Sequence, residues 1–251
     1  MKKSLWAIIA VLLLVSCAEK SDKTGVLVGS VVRDTIQGVP CCVYLPHAYA
    51  ERVQAGAEVF PVLYLQHGMF GNEDDWTTQG NLLHWMDSLL QCGAVKEMVI
   101  IMPDNCPHRP TYEEERANAM DGHWEGGFAQ FMAETESRYH VSNLPSQRAI
   151  AGLSMGGYHT RQVSQQLPGQ FGYIALFSAL ITPPYSLEGN EQALYWIGMG
   201  KEDFLYEQLQ PYRQWLEANH YEYTYYESTG GHTWPNWQDY LCRFLPKLFK
   251  N

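Results

Sequence analysis

Short apolar segments alternate with amphipathic segments along most of this chain. Apolar runs such as MVIIMPD at 98–104 carry no polar face, which is typical of strands covered on both sides in a parallel sheet. The pattern predicts strands at 26–33, 40–45, 60–68, 98–104, 147–152, 173–179, 193–200 and 221–227. It predicts helices near 80–92, 124–138, 156–166, 204–219 and 236–249. We therefore expect an α/β fold, with a mostly parallel central sheet, helices on both faces and an antiparallel strand pair at the start.

The first seventeen residues have a different pattern. Lys2 and Lys3 precede an apolar run from Leu5 to Val15, which is too short to span a bilayer about 30 Å thick. A charged start and a short apolar run are typical of a secretory signal. The ending Leu14-Val15-Ser16-Cys17 resembles the bacterial lipobox, whose cysteine is lipidated and becomes the new N-terminus. We expect a lipid-anchored protein of the bacterial cell envelope; an ordinary signal peptide with an incidental cysteine is the alternative.

The composition favours one large domain after this segment. Of the 251 residues, 46% are hydrophobic and 18% are charged, and no linker-like or repeated stretch occurs after residue 25. We predict a lipoprotein signal peptide over 1–16, a lipidated tether over 17–25 and a single domain over 26–251. The formal net charge of −10, without a basic cluster, argues against nucleic-acid partners and against electrostatic docking on anionic lipid. Membrane attachment is therefore expected through the lipid on Cys17 alone.

A G-x-S-x-G motif stands between a predicted strand and a predicted helix. In RAIAGLSMGGYH, Ser154 follows the strand at 147–152 and is flanked by Gly152 and Gly156. Glycines at these positions allow a sharp turn that exposes the serine, which is the geometry of a nucleophile elbow. The motif alone also fits a structural serine in a glycine-rich turn, so its partners have to distinguish the two.

A serine nucleophile needs a base within hydrogen-bond reach. His232, in STGGHTW, follows the last predicted strand in a glycine turn. His67 also follows a strand, but its LQHGMFG context indicates a loop-ordering role, and His159 lies one turn into the helix after the serine. His232 is therefore the predicted base.

The base in turn needs a carboxylate that holds it in one tautomer. Asp203, in WIGMGKEDF, follows the penultimate strand and gives the chain order serine, aspartate, histidine that is expected of α/β-hydrolases. Asp104, Asp239 and Glu202 are the alternative acids.

Two backbone N–H groups are predicted to stabilise an oxyanion. One belongs to Met155, directly after the serine, and the other to Met69, in the HGMFG turn after the third strand. Simple chain reversal is the alternative explanation of that turn.

Six segments occur in the order seen in a known family. VYLP, YLQHGMFGNEDDW, VIIMPD, RAIAGLSMGGYH, GKEDF and GGHTW resemble the esterase D-like branch of the α/β-hydrolases, over about residues 26–249. That branch includes S-formylglutathione hydrolases and mycolyltransferases, and the chain is most similar to its bacterial feruloyl and acetylxylan esterases, of the first carbohydrate esterase family. The resemblance implies an α/β-hydrolase fold, a catalytic triad of Ser154, Asp203 and His232, and oxyanion donors at Met69 and Met155.

The expected function is that of a serine esterase, a carboxylic ester hydrolase that forms an acyl-enzyme and needs no cofactor. The expected substrates are small esters or acylated carbohydrates, in particular feruloyl or acetyl esters on plant polysaccharide fragments. An acyltransferase with the same triad and a non-catalytic, cell-surface carbohydrate-binding lipoprotein are the alternatives.

The sequence defines substrate contacts less sharply. An aromatic cleft is predicted from residues that flank the site in sequence, with packing at its rim as the alternative role: Trp76, Tyr112, Trp124 and Trp234. The segment 105–124 departs from the family pattern, and substrate contacts in this family lie there. Metal-ligand types in or beside that segment, namely Asp104, His108, Asp121 and His123, have no recognisable metal spacing, so no metal site is predicted.

Overall fold

Eight strands form one sheet in the part of the chain that the computed structural model describes, which comprises residues 28–56, 59–106 and 127–250. The strands are β1 Ser30–Ile36, β2 Val39–Leu45, β3 Val62–Gln66, β4 Val99–Pro103, β5 Arg148–Leu153, β6 Tyr173–Phe177, β7 Leu194–Gly200 and β8 Thr224–Ser228. The helices are α1 Tyr49–Gln54, α2 Asp75–Thr78, α3 Leu82–Gln91, α4 Phe128–Tyr139, α5 Met155–Gln166, α6 Tyr206–Ala218 and α7 Trp234–Phe244. The predicted signal peptide, Cys17, Tyr112 and Trp124 lie outside the described residues.

The strands lie in the spatial order β1-β2-β4-β3-β5-β6-β7-β8. β3 pairs in parallel with β4 and β5, and β5 to β8 continue as parallel neighbours. β1 and β2 form an antiparallel hairpin, and β2 pairs antiparallel with β4. The hairpin turns at Gln37 and Gly38, which both have positive φ, as the favoured two-residue turn requires. The predicted mostly parallel sheet with an antiparallel start is therefore confirmed.

The apolar core lies on both faces of the sheet. On β3, Val62 and Tyr64 belong to one buried cluster, and Leu63 and Leu65 belong to the other. Successive side chains of a strand point to opposite faces, so a strand buried on both faces has to be apolar throughout. Helices α4, α5 and α6 cover the first face, and α3 and α7 cover the second. This double burial gives the residues at the strand ends fixed positions.

The structure differs from the predicted elements mainly at their ends. The last helix begins at Trp234 rather than at 236, and it ends at Phe244, shortly before Pro246, which has no N–H to continue the helical hydrogen bonds. Two short helices, α1 and α2, were not predicted, because four to six residues are too few for a periodic pattern. Among the described residues, no helix has the length and the apolar character needed to cross a membrane.

Four parallel strands lead at their carboxyl ends into the residues that carry chemistry. β3 is followed by His67, β5 by Ser154, β7 by Asp203 after a short turn, and β8 by His232 after a glycine turn. In open α/β sheets, ligands bind in the crevice outside the carboxyl ends of the strands. A functional site is therefore expected at this edge of the sheet.

Candidate active site

Ser154 occupies the sharp turn between β5 and α5. Its φ of 52° and ψ of −116° are values that a non-glycine residue rarely adopts. Backbone hydrogen bonds hold the turn on both sides: the Ser154 N–H donates to the Phe177 carbonyl at 2.8 Å, and the Ser154 carbonyl accepts from the Tyr158 N–H at 3.1 Å. Strained conformations of this kind persist only where the surrounding structure maintains them, and they cluster at functional sites.

Gly152 and Gly156 let the first turn of α5 lie directly against the strand ends. A Cβ atom on Gly156 would lie well under 3.0 Å from the carbonyl oxygen of His67, and one on Gly152 would lie equally close to the Gly156 backbone. Both neighbours are backbone atoms, which cannot rotate away as a flexible side chain can. Close packing therefore requires glycine on both sides of the serine.

Replacing Gly156 with alanine is expected to lower the free energy of unfolding by about 2–3 kcal/mol, because the added methyl group forces α5 away from β3. The higher helix propensity of alanine offsets at most about 1 kcal/mol of this loss. Urea unfolding measures the difference. Gln166→Ala, at an exposed position of the same helix, should stay within about 0.5 kcal/mol of the wild type. A Gly156→Ala protein as stable as the wild type would contradict the close approach.

Ser154, His232 and Asp203 form a continuous series of hydrogen bonds. His232 Nε2 lies 2.8 Å from Ser154 Oγ. On the other side of the ring, His232 Nδ1 lies 2.9 Å from Asp203 Oδ2 and 3.1 Å from Oδ1. A carboxylate accepts only, so the Nδ1–H donates to Asp203 and leaves the Nε2 lone pair for the serine hydroxyl. The structure thus brings together the three side chains that the sequence predicted as nucleophile, base and acid.

The Asp203 carboxylate is fully buried behind the histidine. Burial by itself raises the pKa of this carboxyl, but the hydrogen bonds from His232 and from the Leu205 N–H outweigh it, so the pKa lies below its ordinary value. The Leu205 N–H donates to Asp203 Oδ1 at 2.9 Å. Asp203 therefore stays ionised at neutral pH and keeps the histidine in one tautomer.

A cavity of about 360 Å³ opens at Ser154 and His232. Its walls are largely apolar and aromatic, and they come from the loop after β3, the start of α2, the turn after β7 and the start of α7. The carboxylate of Asp75 is the acidic group among the described residues of its lining. The site therefore combines a hydrogen-bonded serine with a pocket for a mostly apolar group.

The two predicted oxyanion donors flank this serine. Met155 is the first residue of α5, where N–H groups have no acceptor within the helix. Met69, after β3, lines the cavity together with Ser154. The side chains of Met69, Met155 and Cys106 pack in one small cluster, which joins the two segments.

A family model described as "Putative esterase" matches residues 37–219 of the chain. The chain belongs to this esterase family. The predicted enzyme class, a carboxylic ester hydrolase, is thereby confirmed at the level of the family. A curated relative, the endo-1,4-beta-xylanase/feruloyl esterase of Xylanibacter ruminicola, is 30% identical over 175 residues. The match covers 64% of this chain and only 22% of that much longer relative.

Solved structures of esterases share the fold. A ferulic acid esterase superimposes with a TM-score of 0.74 at 22% identity, over 88% of this chain and 97% of that one. A CE1 ferulic acid esterase from Anaeromyces mucronatus, in complex with ferulic acid, superimposes with a TM-score of 0.71 at 22% identity, over 91% and 94% of the two chains. These likenesses confirm the predicted α/β-hydrolase fold of the esterase.

The structure describes two of the four aromatic residues predicted to contact substrate, and only one of these two lines the cavity of the esterase. Trp234, at the start of α7, lines the cavity. The structure corrects the role of Trp76: it is only 1% exposed, donates from Nε1 to the Gln66 carbonyl at 3.1 Å, and supports the Trp234 ring edge-on at 5.3 Å. Burial of this large ring is favourable because its indole N–H has a backbone acceptor, so Trp76 supports the cavity wall and does not line it.

The alternative base His67 and two of the alternative acids, Asp104 and Asp239, have other partners, and Glu202 is exposed. His67 is buried, its Nδ1 lies 2.6 Å from the Gly68 carbonyl oxygen, and its Nε2 lies 3.2 Å from the Asn105 backbone nitrogen. Asp104 lies 3.2 Å from the same Nε2, so this pair connects the ends of β3 and β4. Asp239 pairs with Arg243 on α7. His67 therefore orders its loop, as its sequence context indicated.

Two aromatic neighbours of His232 were not predicted from the sequence. The Trp237 ring meets the imidazole edge-on at 5.0 Å from the buried side, and the Phe204 ring lies 4.6 Å from it. Phe204 directly follows Asp203 in sequence, and that adjacency was the one available signal. Exposure separates the two rings, because Trp237 is buried and Phe204 is 68% exposed.

Proposed function

We propose that this esterase is a serine carboxylester hydrolase whose catalytic triad is Ser154, His232 and Asp203. The hydrogen-bonded series from Ser154 Oγ through His232 to Asp203, at 2.8 and 2.9 Å, carries the proposal. A structural serine needs no buried carboxylate behind a neighbouring histidine. A general base does, because the carboxylate holds its tautomer and stabilises the imidazolium that forms.

The reaction proceeds through an acyl-enzyme. Ser154 Oγ attacks the ester carbonyl carbon while His232 Nε2 takes the hydroxyl proton. The C–O bond to the alcohol then breaks as His232 returns that proton to the alcohol oxygen. In the second half, His232 takes a proton from water, the resulting hydroxide attacks the acyl-enzyme, and the acid leaves as Ser154 regains its proton.

In this proposal the N–H groups of Met69 and Met155 bind the oxyanion of both tetrahedral intermediates. The positive end of the α5 dipole adds to the donor at Met155. Main-chain donors held by packing need no reorganisation when the charge develops, which is the main source of their effect on rate.

The lining of the cavity supports a proposal for the substrate class. An acetyl group would fill little of about 360 Å³, whereas a planar phenolic acyl group would contact the Phe70, Trp234 and Trp237 rings. The Asp75 carboxylate, in the same lining, accepts from Gln79 Nε2 at 3.2 Å and has further lone pairs for a substrate hydroxyl group, whereas its charge disfavours an anionic group. Two of the proteins that the chain resembles, an endo-1,4-beta-xylanase/feruloyl esterase and a ferulic acid esterase, support the same choice. We therefore propose feruloyl esters on plant polysaccharide fragments as substrates, ahead of acetyl esters.

A hydrolysis panel with a covalent probe tests the proposal. We expect a fluorophosphonate to label Ser154, and methyl ferulate to be hydrolysed with at least tenfold higher kcat/KM than methyl acetate, about the effect of one good aromatic contact. Faster hydrolysis of the acetyl ester would contradict the acyl class alone. If the probe labels nothing and no ester is hydrolysed, the catalytic assignment is contradicted, and a carbohydrate-binding protein is favoured.

A further inference from the structure

Phe204 presents an exposed aromatic ring beside the proposed catalytic histidine. It is 68% exposed, it lines the cavity, and its ring centroid lies 4.6 Å from that of His232 with the planes tilted by 47°. Large exposed rings contribute little to folding, since most of their apolar area stays in contact with water. Because this ring lines the cavity beside His232, its exposed face is available to a substrate there.

The backbone around Phe204 is held rigidly. The Asp203 N–H donates to the Gly200 carbonyl at 3.1 Å, and the Tyr206 N–H donates to the Asp203 carbonyl at 2.9 Å. The side chains of Asp203 and Leu205 on either side are buried. The turn that positions the carboxylate thus also fixes where the phenyl ring stands, so a partner that stacks on it meets a surface that is already ordered.

The chemistry of the histidine decides which part of an ester meets this ring. His232 Nε2 has to reach the alcohol oxygen in order to protonate it, so the alcohol part of the substrate lies against the imidazole. The buried side of that imidazole is occupied by Trp237. On its exposed side, among the described residues, stands Phe204. The alcohol therefore leaves the cavity across the Phe204 ring.

We propose that Phe204 binds the alcohol part of the substrate, and that this alcohol is a sugar whose C–H face stacks on the phenyl ring; the inference rests on the proposed function. An open ring at the rim suits an amphipathic group, because one face gains apolar contact while the hydroxyl groups at the edge stay hydrated. A polymer fragment also has to continue into solvent at this point. Phe204 would thus determine specificity for the alcohol, whereas the other residues of the cavity would bind the acyl group.

The test compares esters of one acyl group that differ only in the alcohol. For the acyl group that the wild type hydrolyses fastest, the methyl, n-butyl and pentose esters are assayed with wild type, Phe204→Ala, Phe204→Leu and Phe204→Trp. We expect Phe204→Ala and Phe204→Leu to lose about tenfold in kcat/KM on the pentose ester, mainly through KM, and under about twofold on the methyl ester. Phe204→Trp should retain the pentose ester.

The panel also separates the rival explanations. Leu144→Ala removes an exposed apolar side chain just before β5, at the opposite end of that strand from Ser154, and should leave all three rates unchanged. Equal losses on all three esters would show that Phe204 merely shields His232, which overturns the inference but not the proposed function. Loss on the n-butyl ester as large as on the pentose ester would overturn the sugar assignment. A wild type that hydrolyses none of the esters would overturn both.

Discussion

The Ser154→Ala protein is expected to lose about 10⁴-fold or more in kcat/KM on every ester that the wild type hydrolyses. Without the hydroxyl, no acyl-enzyme forms, and only the oxyanion donors and binding contacts accelerate direct attack by water. The substitution removes one oxygen atom from a side chain whose described contact is the hydrogen bond to His232, so the fold should persist. Steady-state kinetics with the best ester of the panel, alongside fluorophosphonate labelling, measure the effect.

Ser88→Ala is the matched control for Ser154→Ala, since it removes a hydroxyl from an exposed position of α3. It should change neither activity nor labelling. Circular dichroism and urea unfolding establish that both variants are folded. A folded Ser154→Ala protein that retains most of its activity, or still accepts the probe at the same rate, would remove Ser154 from the nucleophile role.

The Asp203→Asn protein is expected to lose about 10⁴-fold in kcat at neutral pH while remaining folded. An amide side chain can donate to His232 Nδ1, which places the ring proton on Nε2, and a protonated Nε2 cannot accept the serine proton. The amide oxygen still accepts from the Leu205 N–H, so the turn after β7 is kept. Asp239→Asn, which alters the exposed pair with Arg243, is the control and should retain activity. Normal turnover by Asp203→Asn would exclude Asp203 as the acid.

The stability of the Asp203→Asn protein relative to the wild type should also depend on pH. Because the folded state lowers the pKa of Asp203, its ionisation stabilises the fold above the ordinary carboxyl pKa, and this contribution disappears as the pH falls through the lowered value. The stability difference between wild type and Asp203→Asn should therefore be larger at pH 7 than below about pH 4. Denaturant unfolding at a series of pH values measures it. A difference that does not change with pH would contradict the shift.

The sequence predicted the sheet and the site because both leave local signals. A strand buried on two faces has to be apolar throughout, so β3, β4 and β5 are visible as uninterrupted runs. Ser154 is marked by Gly152 and Gly156, which the close approach of α5 requires. In a parallel sheet the residues after each strand meet at one edge, which made Ser154, Asp203 and His232 candidates for one site, and the resemblance to the esterase D-like branch implied them as a triad.

Other features depend on contacts that no local pattern records. His67 and His232 both follow strands and stand beside glycines, and only the tertiary structure assigns His67 to Asp104 and His232 to Asp203. Trp76 and Trp234 are both tryptophans near the site in sequence, and only the structure shows that Trp76 is buried against the Trp234 ring.

The sequence by itself thus determined the order of strands and helices along the chain and the glycine-flanked turn at Ser154, because both rest on local patterns of residues. It offered candidates for base and acid, but only the tertiary structure brings His232 between Ser154 and Asp203, because that contact joins segments far apart in sequence. The tertiary structure alone decided which aromatic rings line the cavity and which support it, and that Phe204 stands exposed beside His232. Exposure is set by what distant segments cover, and a side chain carries no sign of that in its own neighbourhood of the sequence.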